Sequence, residues 1–212
     1  IRSLKLGAIT TIISLIIGYM LAYVISRFSD KAQNILILAV TIPTWINMLL
    51  RTYAWISLLS DNGIINSLLV FLGLDPVTMM YTDFSVIIGL VCDLLPFMVI
   101  PIHTSLAKMD HSLIEDLGAR PVTAFWKVTF KLSIPGVVNG TIMVFLLSIS
   151  SFVIPKLLGG GQYVLIGNLI EEQFISVGDW NFGSAISMLL AVAILIMIRI
   201  MKKIDPDENG GA

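Results

Sequence analysis

Asp93 is the only charged side chain inside any of the long apolar stretches of this sequence. A carboxylate at the middle of a membrane helix costs on the order of 3 kcal/mol on insertion scales, and charged groups kept there usually line a polar path. The alternative is a structural role, in which Asp93 is protonated or paired with Arg51 or a neighbouring helix. We favour the interpretation that Asp93 lines a path.

A group of aromatic and amide side chains lies near the end of the preceding apolar stretch. Its members are Trp45, Asn47, Tyr53 and Trp55. Aromatic faces attract cations, so together with a carboxylate they suit a positively charged solute. Trp and Tyr are also common where helices meet the membrane surface, and that alternative stays open.

The sequence lacks the patterns of nucleotide binding and metal binding. It contains no P-loop pattern, and His103 and His111 are too few and too separated for a metal centre. Cys92, the single cysteine, is expected to be a small packing residue. The net charge of −1 does not indicate a nucleic-acid partner. We therefore predict no catalytic residue, no metal site and no cofactor in this chain.

The composition indicates a chain dissolved in lipid. Of its 212 residues, 57% are hydrophobic and only 13% are charged, about half the charged fraction of a typical soluble domain. Five apolar stretches reach the roughly 20 residues that a membrane-spanning helix needs. They are residues 6–25, 32–50, 84–106, 132–155 and 180–198. Backbone groups in lipid must be satisfied within the segment, so all five are predicted to be helices.

Cationic residues predict the orientation of these helices, because they concentrate on the cytoplasmic side of membrane proteins. One set of connections holds most of them: Arg27, Lys31, Lys108, Arg120, Lys127, Lys131, Arg199, Lys202 and Lys203. This set, and with it the C-terminus, is predicted to lie in the cytoplasm. Five crossings would then leave Arg2 and Lys5 outside, so we expect a further helix before residue 1, six in all.

The connection at residues 108–131 carries the most specific pattern. Val122, Phe125, Trp126 and Val128 give it an apolar side. By physical criteria alone, such a segment either lies on lipid headgroups or docks a soluble partner. D-L-G-A at 116–119 within it and I-P-G at 134–136 just after it resemble, in type and spacing, the "EAA" loop of binding-protein-dependent ABC permeases.

This resemblance implies a polytopic bundle of the type I importer, or MetI-like, fold. It implies that residues 108–131 form a coupling helix that docks in a cleft of a separate ATPase subunit. The coupling residues carried over from the family pattern are Glu115, Asp116, Gly118 and Ala119. Glu115 directly precedes Asp116, about three residues closer than in the family, so its place on the docking helix is shifted by nearly one turn.

Three further segments, at 43–55, 89–101 and 165–182, resemble PotB-type subunits of spermidine/putrescine importers. The resemblance implies a polyamine as cargo, a PotC-type second permease, a PotA-type ATPase dimer that binds ATP and Mg²⁺, and a PotD-type extracytoplasmic receptor. It implies a multi-pass protein of the bacterial cytoplasmic membrane. We expect a receptor contact or outer entrance at five residues: Arg51, Glu171, Glu172, Asp179 and Trp180. A plain solvated loop is the alternative for the acidic group.

These inferences predict one transmembrane domain at 1–204, with helices at about 4–26, 32–57, 84–107, 132–156 and 180–203, and a disordered tail at 205–212. Two alternatives to a polyamine permease remain open. One is an ABC permease for iron, thiamine or an oxyanion, although an oxyanion would favour cationic groups in the path. The other is a secondary transporter or channel, which has no need of the loop at 115–135.

Overall fold

The computed structural model describes residues 2–108, 125–161 and 165–202, and the secondary structure within these ranges is helical. The helices are α1 (Arg2–Ser26), α2 (Asp30–Trp45), α3 (Met48–Leu59), α4 (Ile64–Phe71), α5 (Asp83–Ala107), α6 (Phe130–Ser150), α7 (Val153–Leu158), α8 (Ile166–Glu172) and α9 (Trp180–Lys202). A π-helical turn at Phe125–Thr129 leads into α6, and another at Gln173–Val177 follows α8. The all-α prediction is confirmed.

Four helical stretches within the described residues are long and apolar enough to cross a membrane. They are Arg2–Ser26, Met48–Phe71, Asp83–Ala107 and Phe130–Ser150, with Trp180–Ile196 as a shorter apolar helix. Three of the four are continuous, whereas Met48–Phe71 consists of α3 and α4, joined by a turn that contains Asp61. Helix α2 has 16 residues and, at 1.5 Å per residue, is shorter than the hydrocarbon layer.

The predicted continuous helix at 32–57 is wrong, because the chain breaks between α2 and α3. Ile46 is extended (φ −78°, ψ 139°), and Asn47 caps the new helix by accepting a 2.8 Å hydrogen bond from the backbone N–H of Leu49. Pro43 lacks an N–H donor, which weakens the end of α2, and asparagine is a strong N-cap. The break therefore sets the direction of α3 independently of α2.

The predicted helix at 132–156 is divided in the same way. Helix α6 ends at Ser150, Ser151 is extended, and the short helix α7 begins at Val153. In a continuous helix the ring of Pro155 would clash with the Ser151 carbonyl and leave it without a donor. The break frees α7 to turn back against α3 and α5.

The core of the bundle is formed by α1, α5 and α6, which share the most extensive contacts. Met98 of α5 is fully buried at their centre. A β-carbon added at Gly18 of α1 would lie 2.7 Å from Met98 Cγ, and one added at Gly140 of α6 would lie 2.9 Å from Met98 Sδ. Such small residues let helix backbones approach closely, which drives helix packing in lipid.

A second apolar cluster joins α3, α5 and α7. Its buried members are Leu59, Met80, Val86, Leu90, Ile154 and Leu158. This cluster packs the end of α3 against the first turns of α5 and against α7. Two of its members, Ile154 and Leu158, line the pocket described next.

Candidate functional site

An open pocket of about 270 Å³ lies between α3, α5 and α7, with Pro43 of α2 at its edge. Its lining residues are Pro43, Arg51, Thr52, Ala54, Trp55, Gly89, Cys92, Asp93, Ile154 and Leu158. The lining is mainly apolar with one acid and one base. Small-molecule sites typically combine apolar walls with a few polar groups in this way.

The charged centre of the pocket is an ion pair between two helices. Arg51 Nη2, one turn into α3, lies 2.6 Å from Asp93 Oδ1, near the middle of α5. The two side chains are only 20% and 18% exposed. Arg51 Nε is buried and has no hydrogen-bond partner among the described residues. The structure thus places the predicted path residue Asp93 on the pocket wall and pairs it with Arg51. This pairing is the structural alternative that the sequence left open for Asp93, although we expected Arg51 at the receptor contact.

The predicted aromatic group is only partly brought to this site. Trp55 lines the pocket because it follows Arg51 by four residues and shares its face of α3. Tyr53 and Trp45, at 58% and 74% exposure, lie on the outer surface of the bundle, and Asn47 serves as the cap of α3. Of the four, Trp55 alone shares the pocket with Asp93.

Several pocket residues were missed by reasoning from the sequence. Ile154 and Leu158 come from α7, which was not expected as a separate helix, and Cys92 is exposed at the pocket instead of packed in the interior. Gly89 precedes Asp93 by one turn, so helical spacing puts both on one face of α5. A β-carbon on Gly89 would lie 2.5 Å from Leu158 Cδ1, so the absence of a side chain at Gly89 lets α7 pack closely against α5 at the pocket.

The acidic group predicted at the outer entrance is also divided. Glu171 of α8 forms a 2.6 Å ion pair with Lys156 of α7, and its side chain is 14% exposed. Glu172 is exposed, and Asp179 caps α9 by accepting a 3.0 Å hydrogen bond from the backbone N–H of Phe182. Trp180 is 67% exposed and packs edge-on against Phe174. The Lys156–Glu171 pair links α8 to α7, which forms one wall of the pocket.

The predicted coupling residues Glu115, Asp116, Gly118 and Ala119 lie outside the described residues, and so does His111. The part of the chain that the structure describes resumes at Phe125. The Phe125 ring is 6.1 Å from the Tyr19 ring and 5.2 Å from the Tyr23 ring, both of α1. The C-terminal end of the predicted coupling loop is therefore packed against α1.

The family described as the binding-protein-dependent transport system inner membrane component matches residues 9–209. The chain belongs to this family. It is a permease subunit of an ABC importer, as the loop pattern predicted. It is a transport protein that crosses the inner membrane several times. Such a subunit works with other ABC subunits and a periplasmic binding protein.

Several curated relatives of the chain are PotB proteins. The chain is 38% identical over 204 residues to the "Spermidine/putrescine transport system permease protein PotB" of Haemophilus influenzae, covering 94% of this chain and 71% of the relative. It is 36% identical over 205 residues to the protein of the same name from Escherichia coli K12, covering 94% and 74%. The predicted resemblance to PotB-type permeases is confirmed.

The fold is shared with a solved importer. A chain of a bacterial alginate ABC transporter, in complex with an alginate pentasaccharide-bound periplasmic protein, superposes with a TM-score of 0.81. The match covers 99% of this chain and 78% of the other at 16% identity. The predicted MetI-like permease fold is confirmed.

Proposed function

We propose that this chain carries polyamines such as spermidine and putrescine inward across the bacterial cytoplasmic membrane. The proposal rests on one observation: a shielded carboxylate, Asp93, lines an open pocket together with an aromatic face, Trp55. The PotB relatives add support, since their names give spermidine and putrescine as cargo.

The chemistry of the pocket suits a flexible chain of ammonium groups. Asp93 supplies a charge partner for an ammonium, and a charge-assisted hydrogen bond is about twice as strong as a neutral one. Trp55 supplies a cation–π surface, which strengthens where water is excluded. The apolar walls at Ile154 and Leu158 would hold the methylene segments between the charges.

The energy for transport would come from partner subunits. We propose a PotC-type second permease, a PotA-type ATPase dimer that holds ATP and Mg²⁺, and a PotD-type receptor on the outer face. The ATPase would grip the loop at Glu115, Asp116, Gly118 and Ala119, with the C-terminus on the same, cytoplasmic side. The receptor would dock near Glu171, Glu172, Asp179 and Trp180. No cofactor is assigned to this chain itself.

Alternating access follows from this arrangement. Closure of the ATPase dimer on ATP would move the loop, and the packing of Phe125 on α1 would carry that motion into the core. The pocket would then open outward to accept the polyamine, and hydrolysis would return it to the inward side. The two states need differ by only a few kcal/mol for ATP and substrate to bias them.

ATP-dependent uptake of labelled spermidine into vesicles that contain the assembled transporter tests the proposal. Asp93→Asn is expected to lower uptake by roughly tenfold or more, since a hydrogen bond to a charged group contributes about 1.5–3 kcal/mol. Asp83→Asn is the matched control, because Asp83 is exposed at the start of the same helix and outside the pocket. Equal uptake by the Asp93→Asn variant and the parent would remove Asp93 from the path. Uptake of thiamine, iron or an oxyanion in place of spermidine would show that the transported solute is not a polyamine.

A further inference from the structure

Arg51 occupies the carboxylate that a substrate ammonium needs. Its Nη2 lies 2.6 Å from Asp93 Oδ1, and both residues line the open pocket. We propose that Arg51 is a tethered competitor for Asp93: its guanidinium holds the carboxylate when the path is empty, and the ammonium of an incoming substrate displaces it. This inference rests on the proposed role of Asp93 in binding polyamine.

The geometry of the pair favours exchange over a permanent structural bridge. In the strongest arginine–carboxylate pairs, two parallel N–H donors of the guanidinium engage the acid. Here Arg51 Nε is buried without a hydrogen-bond partner among the described residues, so the guanidinium is incompletely satisfied. The space into which Arg51 can swing is the pocket itself, and Trp55, one turn further along α3, lies on the same wall.

Exchange also keeps the Asp93 carboxylate paired with a cation in both states. An unpaired carboxylate shielded as Asp93 is, with 18% of its side chain exposed, is strongly disfavoured. Arg51 removes that penalty in the empty path, and a substrate ammonium removes it in the loaded path. A neutral solute of the same shape cannot release Arg51 without leaving Asp93 unpaired. Arg51 is therefore a specificity-determining residue that admits only ligands bringing their own positive charge.

The competitor model predicts the direction of an affinity change. When the binding-competent state is a fraction of the population, the apparent affinity falls by that fraction. If Arg51 holds Asp93 roughly nine-tenths of the time, removing the guanidinium strengthens spermidine binding about tenfold. A structural or receptor-docking role predicts weaker or unchanged binding for the same variant.

The test is equilibrium binding of labelled spermidine to the assembled permease–ATPase complex in lipid nanodiscs, without the receptor. Arg51→Gln is expected to bind spermidine about tenfold more tightly than the parent. Arg51→Lys keeps a cation but loses the planar fork, so it is expected to fall between the two. Asp93→Asn is expected to lose binding. The double variant Arg51→Gln/Asp93→Asn removes both charges, and its yield and melting temperature control for folding.

Each outcome separates this inference from the proposed function. Unchanged binding by Arg51→Gln, beside weaker binding by Asp93→Asn, overturns the competitor role and leaves Asp93 as the polyamine contact. Weaker binding by both variants, with a lower melting temperature for each, overturns the competitor role and assigns the pair a structural role. Unchanged binding by Asp93→Asn overturns the proposed site itself. If Arg51→Gln does not assemble because Asp93 is left unpaired, Arg51→Lys decides: tighter binding supports competition, and equal or weaker binding overturns it.

Discussion

Phe125 packs edge-on against Tyr23, with ring centroids 5.2 Å apart and ring planes at 85°. Tyr23 belongs to α1, and Phe125 lies in the π-helical turn at the end of the predicted coupling loop, directly before α6. Phe125 also contacts Tyr19, whose hydroxyl lies 3.0 Å from Ser133 Oγ of α6. Phe125 therefore joins the end of the predicted coupling loop to α1 and, through Tyr19, to Ser133 of α6.

Phe125→Ala is expected to lower spermidine uptake several-fold while the complex still hydrolyses ATP. The two edge-on contacts contribute about 0.5–1.5 kcal/mol each beyond burial, and their loss loosens the link between loop and bundle. The measurement is the ratio of uptake to receptor-stimulated ATP hydrolysis. Phe125→Tyr keeps the ring and is expected to restore the ratio. Phe28→Ala, at a half-exposed ring, is the control. Uptake and hydrolysis falling in proportion would argue for a general loss of folding.

Gly89→Ala is expected to reduce uptake by pushing α7 away from α5. The added methyl group would meet Leu158 Cδ1 at 2.5 Å and Ile154 Cγ2 at 3.0 Å, and overpacking of this kind costs about 1–3 kcal/mol. Uptake of labelled spermidine and the melting temperature of the complex are the measurements. Leu158→Ala in the same chain makes room for the methyl group and is expected to recover much of both. If the double variant recovers neither uptake nor the melting temperature, the effect of Gly89→Ala does not come from contact with Leu158.

Glu171→Gln and Lys156→Gln are expected to differ although they break the same ion pair. Lys156 is half exposed, so the pair itself adds no more than about 1 kcal/mol to stability. If Glu171 meets the receptor, its neutralisation raises the receptor concentration needed for half-maximal uptake several-fold, most strongly at low salt. Lys156→Gln frees the carboxylate and leaves that concentration equal or lower. Equal effects of the two variants would assign the pair a structural role only.

Gly118→Arg is expected to abolish uptake while the chain remains inserted in the membrane. A large cation at the position carried over from the family pattern would block docking of the ATPase subunit. Co-purification of the ATPase and the amount of permease in the membrane are the two measurements. His111→Arg adds a cation in the same segment, outside the D-L-G-A pattern, and is expected to retain docking. Full uptake by the Gly118→Arg variant would remove this glycine from the coupling site.

The amino-acid sequence determined the membrane class, the helical fold and the family by itself. Long uncharged stretches in lipid must satisfy their own backbone groups, so helices follow from composition and length alone. Asp93 was visible for the same reason, since it is the single charge in those stretches. The D-L-G-A and I-P-G pattern was specific enough to indicate the ABC permease family before any contact was known.

The tertiary structure decided which side chains meet. The breaks at Ile46 and Ser151 release α3 and α7 as separate pieces, and both pieces pack against α5. That packing brings Arg51 to Asp93 and leaves Trp45 and Tyr53 on the outer surface. Apolar periodicity does not show which pairings form, because most side chains in the stretches are apolar, so the Arg51–Asp93 pair could be named from the sequence only as one alternative. The pairing depends instead on close approach at small residues such as Gly89, which only the folded bundle reveals.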